Sequence, residues 1–70
     1  MINSDIVFIQ GDEVKFGNKT YTIRRVKGDS LYIRPVTTGF VVGKTITING
    51  IPFTVTSILR NDVLVTRKFE

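Results

Sequence analysis

The side chains that most often perform catalysis or bind transition metals are missing from this sequence. Its 70 residues include no histidine and no cysteine, which removes the commonest general base, the thiolate nucleophile and most ligands for zinc, iron and copper. Asp12, Asp29 and Asp62 fall at expected strand starts or turns, where aspartate commonly bonds its own backbone. Asp12 and Glu13 are adjacent on an expected strand and point to opposite faces, which disfavours a shared cation. The sequence therefore predicts a protein that is not an enzyme, with no cofactor and no metal site.

A repeat with a spacing of 32 residues organises the chain. Residues 11–34 align with residues 43–66 without a gap, and their apolar positions coincide. The matched pairs are Val14 with Ile46, Phe16 with Ile48, Tyr21 with Phe53, Ile23 with Val55, Val26 with Ile58, Leu31 with Val63 and Ile33 with Val65. Shared turn positions indicate a duplication, since alternating polarity alone does not set loop lengths.

Each copy has the pattern of three strands joined by two tight turns. The first turns are Gly17-Asn18 and Asn49-Gly50, and the second are Gly28-Asp29 and Arg60-Asn61. Asn49-Gly50 predicts a type I′ turn, because both of its residues tolerate positive φ. Gly17-Asn18 has glycine first, which suits the type II′ turn, where the second residue has ordinary φ.

The middle strand of each copy breaks the alternation of polar and apolar residues. Its apolar positions advance by two residues and then by three, to Val26 in copy one and to Ile58 in copy two. An interval of three in a strand requires one extra residue. We therefore expect β-bulges at Arg24-Arg25 and Thr56-Ser57, with Val26 and Ile58 returned to the buried face. Such bends let a meander curl around a small core.

The sequence as a whole predicts one all-β domain spanning residues 1–70. The expected architecture is a six- to seven-stranded barrel or sandwich with a pseudo-twofold axis. Its parts are an N-terminal segment at 1–10 with a seventh strand at Ile6–Ile9, meander copy one at 11–36, a joint at 37–42 and meander copy two at 43–70. Without disulfides or zinc, stability must come from the core alone or from partner subunits.

The two copies differ in charge. Residues 11–34 hold six lysines and arginines against three carboxylates, a net charge of +3, whereas residues 43–66 have a net charge of +1. A nucleic-acid contact in copy one would use Lys15, Arg24, Arg25, Lys27, Tyr32 and Arg34. Arg25 is expected opposite Tyr32, which would suit a cation–π pair or a platform for a base. The alternative is that these cations keep the outer face soluble and protect sheet edges.

Copy two has a threonine-rich and nearly uncharged outer face. Leu59 takes the place of Lys27, and Leu64 takes the place of Tyr32. Together with Phe40 and Val41 just upstream, these leucines are candidate protein-contact residues. Two interpretations follow: either they cover an open end of the barrel, or they form a docking or self-association surface.

Two family resemblances rest on short stretches of each copy. The spacing of glycine, aliphatic and aromatic residues from Gly11 to Val26, and again from Gly43 to Ile58, resembles the β-meander of small tailed-phage virion proteins of the head–tail joining type. That resemblance implies a structural subunit. The start Gly11-Asp12-Glu13-Val14 resembles small barrels of the Tudor and KOW kinds, which implies RNA binding. The KOW motif has a further glycine in the next strand, where this chain has Thr22-Ile23-Arg24.

These observations lead to two functional hypotheses. The first is a non-catalytic structural or assembly module that docks in a larger protein complex or self-associates, in the manner of a phage virion or accessory component. The second is a small barrel that binds nucleic acid through the basic face of copy one. The N-terminal residues lack a basic segment followed by a long apolar run, so we expect no signal peptide, no membrane partner and a location in the cytoplasm or in a virion.

Overall fold

The computed structural model describes residues 8–68 of the chain. Six strands, with no helix between them, make up this part. They are β1 (Glu13–Phe16), β2 (Lys19–Lys27), β3 (Ser30–Arg34), β4 (Thr45–Ile48), β5 (Ile51–Ile58) and β6 (Val63–Arg67). Ile6 and Val7 of the expected seventh strand lie outside the described residues, and Phe8 and Ile9 are not in a strand.

All six strands belong to one antiparallel sheet with the order β1-β2-β3-β6-β5-β4. The two outermost strands, β1 and β4, come into contact and nearly close the sheet into a barrel. The predicted all-β class is therefore confirmed, and the form it takes is a small barrel. Exchanging each strand with its counterpart in the other copy gives the same order read from the opposite edge of the sheet, as a pseudo-twofold axis requires.

The central pair of strands locates that axis. Tyr32 of β3 lies directly opposite Leu64 of β6, and these two residues are counterparts under the 32-residue shift. Cross-strand contacts flank this pair on both sides. The hydroxyls of Ser30 and Thr66 are 3.0 Å apart on one side, and the Arg34 guanidinium donates to Asp62 at 2.9 Å on the other. The duplication thus pairs with itself through β3 and β6.

Alternate residues of every strand point inward and form the core. Val14 lies opposite Tyr21, and Ile46 lies opposite Phe53, as the turn positions predict. The fully enclosed set is Tyr21, Ile23, Leu31, Ile33, Ile48, Phe53, Val55, Val63 and Val65. The buried side chains of the described residues are all aliphatic or aromatic, so burial of apolar area is the main stabilising term there.

Both predicted bulges are present. The β2–β3 register shifts between Ile23 and Arg25, and the β5–β6 register shifts between Val55 and Ser57. Val26 and Ile58 nevertheless remain 37% and 40% exposed, so their prediction as buried residues is wrong. Beyond the bulge, β2 and β5 extend past the ends of β1 and β4, so this part of each strand has a neighbouring strand on one side only. Its side chains therefore stay near solvent at the end of the barrel.

The structural repeat begins before residue 11. The Gly11 amide donates to the Ile23 carbonyl at 2.7 Å, and the Gly43 amide donates to the Val55 carbonyl at 2.8 Å. Each glycine is the third residue of a β-turn, 9–12 or 41–44, with φ of 96° and 93°. A type II turn requires such φ values at that position, which favours glycine. The equivalence therefore extends back to Phe8 and Phe40.

Candidate functional site

Phe40 is part of the core rather than of an exposed contact surface. Its side chain is 5% exposed, with its ring centroid 5.5 Å from that of Phe16 and 5.3 Å from that of Tyr21. The structure therefore places Phe40 in the core and not on the exposed apolar surface that the sequence suggested. The sequence could not show this, because Phe40 becomes buried only when the joint itself folds against copy one.

Four exposed apolar side chains lie at one end of β5 and in the turn beside it. We call this set the copy-two apolar patch; its members, with their exposed fractions, are Val41 (59%), Val42 (57%), Ile58 (40%) and Leu59 (44%). The backbone brings the two pairs to the same end of the barrel, since Gly43 and Lys44 hydrogen-bond Val55 three residues before Ile58. Val41 and Leu59 were candidate contact residues from the sequence; Val42 was not among them, and Ile58 was predicted to be buried.

The equivalent positions of copy one are less apolar. Ile9 and Val26 match Val41 and Ile58 in type and in exposure, at 58% and 37%. The other two positions hold Gln10 and Lys27, where copy two has Val42 and Leu59. Extending the sequence alignment by one residue before Gly11 would have identified Val42. The two ends therefore share a framework, and the copy-two end carries two more exposed apolar side chains than the copy-one end.

Leu64 lies at the pseudo-twofold axis, in the strand β6 that pairs with the end of β5. It is half-buried on the outer face of the sheet, opposite Tyr32 in β3 and opposite Ser57 in β5. Of the four protein-contact candidates, Val41 and Leu59 are the two that are exposed, whereas Leu64 is half-buried and Phe40 is buried.

The predicted basic residues are spread over three neighbouring strands, with Lys15 in β1, Arg34 in β3 and the other three in β2. Lys15, Arg24, Arg25 and Lys27 are exposed, and Arg25 lies opposite Tyr32 as predicted. The two side chains do not stack on each other, since the ring contacts of the described residues all join phenylalanine and tyrosine rings. Arg34 forms an ion pair with Asp62, so its charge is compensated.

A cleft opens at the copy-one end of the barrel, where it has a volume of about 180 Å³. Its walls are apolar and consist of Phe8, Val26, Leu31 and Phe53. Gly28, Asp29 and Arg67 complete the lining. The Phe8 ring meets the Phe53 ring edge-on, with centroids 5.6 Å apart and planes at 76°. We call this site the Phe8 cleft; nothing in the sequence pattern singled it out.

Within residues 8–68, no group of three or more metal-binding side chains comes together. No helix there is long and apolar enough to cross a membrane.

Comparison with known proteins does not assign the chain to a family. No family model, no curated protein and no solved structure matches the chain.

Proposed function

We propose that this protein is a non-catalytic docking module of a larger protein assembly, with a phage-type virion or accessory complex as the expected setting. The observation that carries the proposal is the copy-two apolar patch. Single exposed apolar residues are ordinary on a monomer, but four at one end of so small a barrel are a feature of contact surfaces. The partner surface is expected to be apolar at its centre, and the exposed cations Lys44 and Arg60 flank the patch in the sequence.

The sheet edge beside the patch favours an extended partner segment. β4 pairs with residues 51–54 of β5, and the Gly43–Lys44 backbone pairs with Val55, so residues 56–58 have β6 on one side and no strand on the other. An exposed strand edge next to apolar side chains accepts a further strand through main-chain hydrogen bonds. The partner would add such a strand and place its apolar side chains on the patch.

The duplication supplies the substitutions for a test of this proposal. Val42→Gln and Leu59→Lys give the patch the residues of copy one, which the same framework already carries at Gln10 and Lys27. Thr47→Lys is the matched control, because it places the Lys15 residue type at the equivalent exposed position of β4, away from the patch. The measurement is the stoichiometric complex recovered by affinity purification from the native cell, together with the mass in solution by light scattering at rising concentration.

We expect the double variant to lose the complex and the control to keep it. A protein that stays monomeric at high concentration and retains no partner would contradict the proposal. So would a double variant that binds as well as the unmodified protein.

The basic face of copy one supports a second candidate function, the binding of nucleic acid. The specific observation is the bulge, which adds Arg24 to the strand beside Arg25 and places Arg25 opposite Tyr32. Two cations and an aromatic ring on an exposed face can contact phosphates and stack a base. Arg34 contributes less than the sequence implied, because Asp62 compensates its charge.

A titration against single- and double-stranded oligonucleotides at two salt concentrations tests this candidate. Arg24→Thr with Arg25→Ser, the residues of the copy-two bulge, should weaken binding and reduce the log–log salt slope by about 0.9 for each duplex phosphate that the variant no longer neutralises. A control that removes two other cations, Lys44→Gln with Arg60→Gln, should leave the slope unchanged. No binding at about 50 mM salt would end this candidate, because phosphate contacts are strongest at low salt.

A further inference from the structure

Cations border the copy-two apolar patch at both ends of the exposed β5 edge. Lys44 is exposed, and its carbonyl accepts a hydrogen bond from the Val55 amide at 2.9 Å, so it lies where that edge begins. Arg60 is exposed in the turn where the edge ends. The counterparts of these two cations in copy one are Asp12 and Gly28. The copy-two end therefore differs from the copy-one end in charge as well as in exposed apolar area.

Within residues 8–68, neither of these two cations is paired with a carboxylate. The ion pair in this part of the chain joins Arg34 to Asp62, the carboxylate that is nearest to Arg60 in the sequence. The remaining described carboxylates belong to copy one and are Asp12, Glu13 and Asp29. The edge between the two cations covers residues 56–59, a length of roughly 13 Å in a strand.

The main chain at this edge is oriented to accept another strand. The Leu59 amide donates to the Asp62 carbonyl at 2.8 Å, toward β6. Because the polar groups of successive strand residues point to opposite edges, those of Ile58 point away from β6, to the side that β4 does not reach. The side chains of Ile58 and Leu59 point to opposite faces of the sheet. An added strand would therefore find main-chain partners at Ile58 and apolar side chains next to both of its faces.

We infer that the copy-two end binds an acidic peptide segment of a partner protein, a short apolar strand with a carboxylate at each end. This inference rests on the proposed function and states the chemistry of its partner. The carboxylates would face Lys44 and Arg60, and the apolar side chains between them would cover Ile58 and Leu59. Ion pairs at the rim of an interface fix the register of a docked segment and disfavour segments of the wrong charge.

Three other occupants fit this edge less well. Two copies of the chain paired antiparallel along it would bring Lys44 of each beside Arg60 of the other, and like charges that face each other across strands are destabilising. A lipid surface offers no hydrogen-bond partner to the main chain of Ile58. The first and last described residues, Phe8 and Lys68, contact the beginning of β5, at the opposite end of the barrel from this edge.

Nuclear magnetic resonance of the full chain labelled with ¹⁵N tests the inference. The probe is the capped peptide Glu-Val-Ile-Val-Glu, and its controls are the capped peptides Gln-Val-Ile-Val-Gln and Lys-Val-Ile-Val-Lys, which have the same apolar centre. The protein variant is Lys44→Gln with Arg60→Gln. Lys15→Gln with Lys27→Gln is the matched control, because it removes the same charge from exposed residues of copy one. Vesicles of anionic phospholipid serve as the comparison for a lipid surface.

We expect saturable shifts at the amides of Ile58 and Leu59 with the glutamate peptide. Binding should be at least about threefold weaker with the glutamine peptide and absent with the lysine peptide, as loss of two exposed ion pairs implies. The variant at Lys44 and Arg60 should bind both the glutamate and the glutamine peptide equally, and the copy-one control should keep the difference. The inference is overturned if the glutamate peptide gives no saturable shift, if all the peptides bind equally, or if anionic vesicles produce the shifts instead.

The complex recovered from the native cell separates failure of this inference from failure of the proposed function. Both Val42→Gln with Leu59→Lys and Lys44→Gln with Arg60→Gln are expected to lose it. If the first variant loses the complex and the second keeps it in full, the docking function holds and the acidic partner is wrong. If both variants keep the complex, the docking function fails, and the inference fails with it.

Discussion

Asn49 and Gly50 both have a left-handed backbone, with φ of 53° and 83°. This is the geometry of the predicted type I′ turn, which matches the twist of the two strands it joins and sets Ile48 opposite Ile51. The equivalent turn of copy one differs at its second residue. Gly17 has φ of 64°, whereas Asn18 is not among the residues with positive φ in the described chain, as the predicted type II′ turn requires. The order of the two residues therefore decides which position needs glycine.

Gly50→Val is predicted to lower the free energy of unfolding by about 1 to 3 kcal/mol, and Asn18→Val by clearly less. A Cβ at Gly50 meets no atom within 4 Å, so the cost comes from the backbone conformation and not from a clash. Denaturant melts of the two variants measure the difference.

Gly39→Val is the control for that comparison. Gly39 also has open space around it but lacks a left-handed φ, so this variant reports what the valine side chain does without backbone strain. Equal losses at positions 50 and 18 would mean that the turn types are wrong.

At the scale of the elements, each copy packs one aromatic side chain on the other copy. We call these two residues, Phe8 and Phe40, the aromatic arms. Phe8 of copy one packs on Phe53 of copy two, and Phe40 of copy two packs on Tyr21 of copy one. The arms are equivalent in sequence and contact but unequal in burial, because Phe40 also stacks on Phe16 whereas Phe8 borders the open cleft. These two ring contacts join the meanders in addition to the pairing of β3 with β6.

Phe40→Ala is predicted to cost about 3 to 5 kcal/mol of stability, as truncation of a buried aromatic ring usually does. Phe8→Ala should cost substantially less, because part of the Phe8 ring is already in contact with solvent. Thermal or denaturant melts provide the measurement, with Val42→Ala as a control at an exposed apolar residue of the same segment. A loss at Phe8 equal to that at Phe40 would show that the Phe8 end is as closely packed as the other.

At the scale of the whole molecule, the barrel is a single cooperative unit made of two incomplete halves. Each half contributes three strands, but its inner face is closed only by the strands and the aromatic arm of the other. Neither half buries enough apolar area alone, since domains below about 40 residues rarely fold without a staple. The duplicated sequence thus behaves as a dimer joined into one chain.

Peptides of residues 1–36 and 37–70 are predicted to be unfolded separately and to form β-structure when mixed in equal amounts. The physical reason is that the β3–β6 pairing and both aromatic arms cross between the halves. Circular dichroism and nuclear magnetic resonance of each peptide and of the mixture measure this. A cooperative melt from either peptide alone would contradict it.

The sequence by itself determined the six strands, their cross-strand pairs, the bulges and the type of the first turn in each copy, because these follow from local alternation, from turn residues and from the 32-residue spacing. Arg25 opposite Tyr32 and Val14 opposite Tyr21 follow from counting residues across a two-residue turn. Such pairs depend on residues that are close in the sequence, so the pattern of residue types is enough to predict them.

Only the tertiary structure decided which apolar residues remain at the surface. Phe40 becomes buried because its arm crosses to copy one, and Val26 and Ile58 stay exposed because their strands extend past the ends of the barrel. The ion pair of Arg34 with Asp62 depends on the pairing of β3 with β6, whose partners are far apart in the sequence. The candidate surfaces consist of such residues. Their exposure depends on how the sheet closes, and the alternation of residues within a strand does not encode that closure.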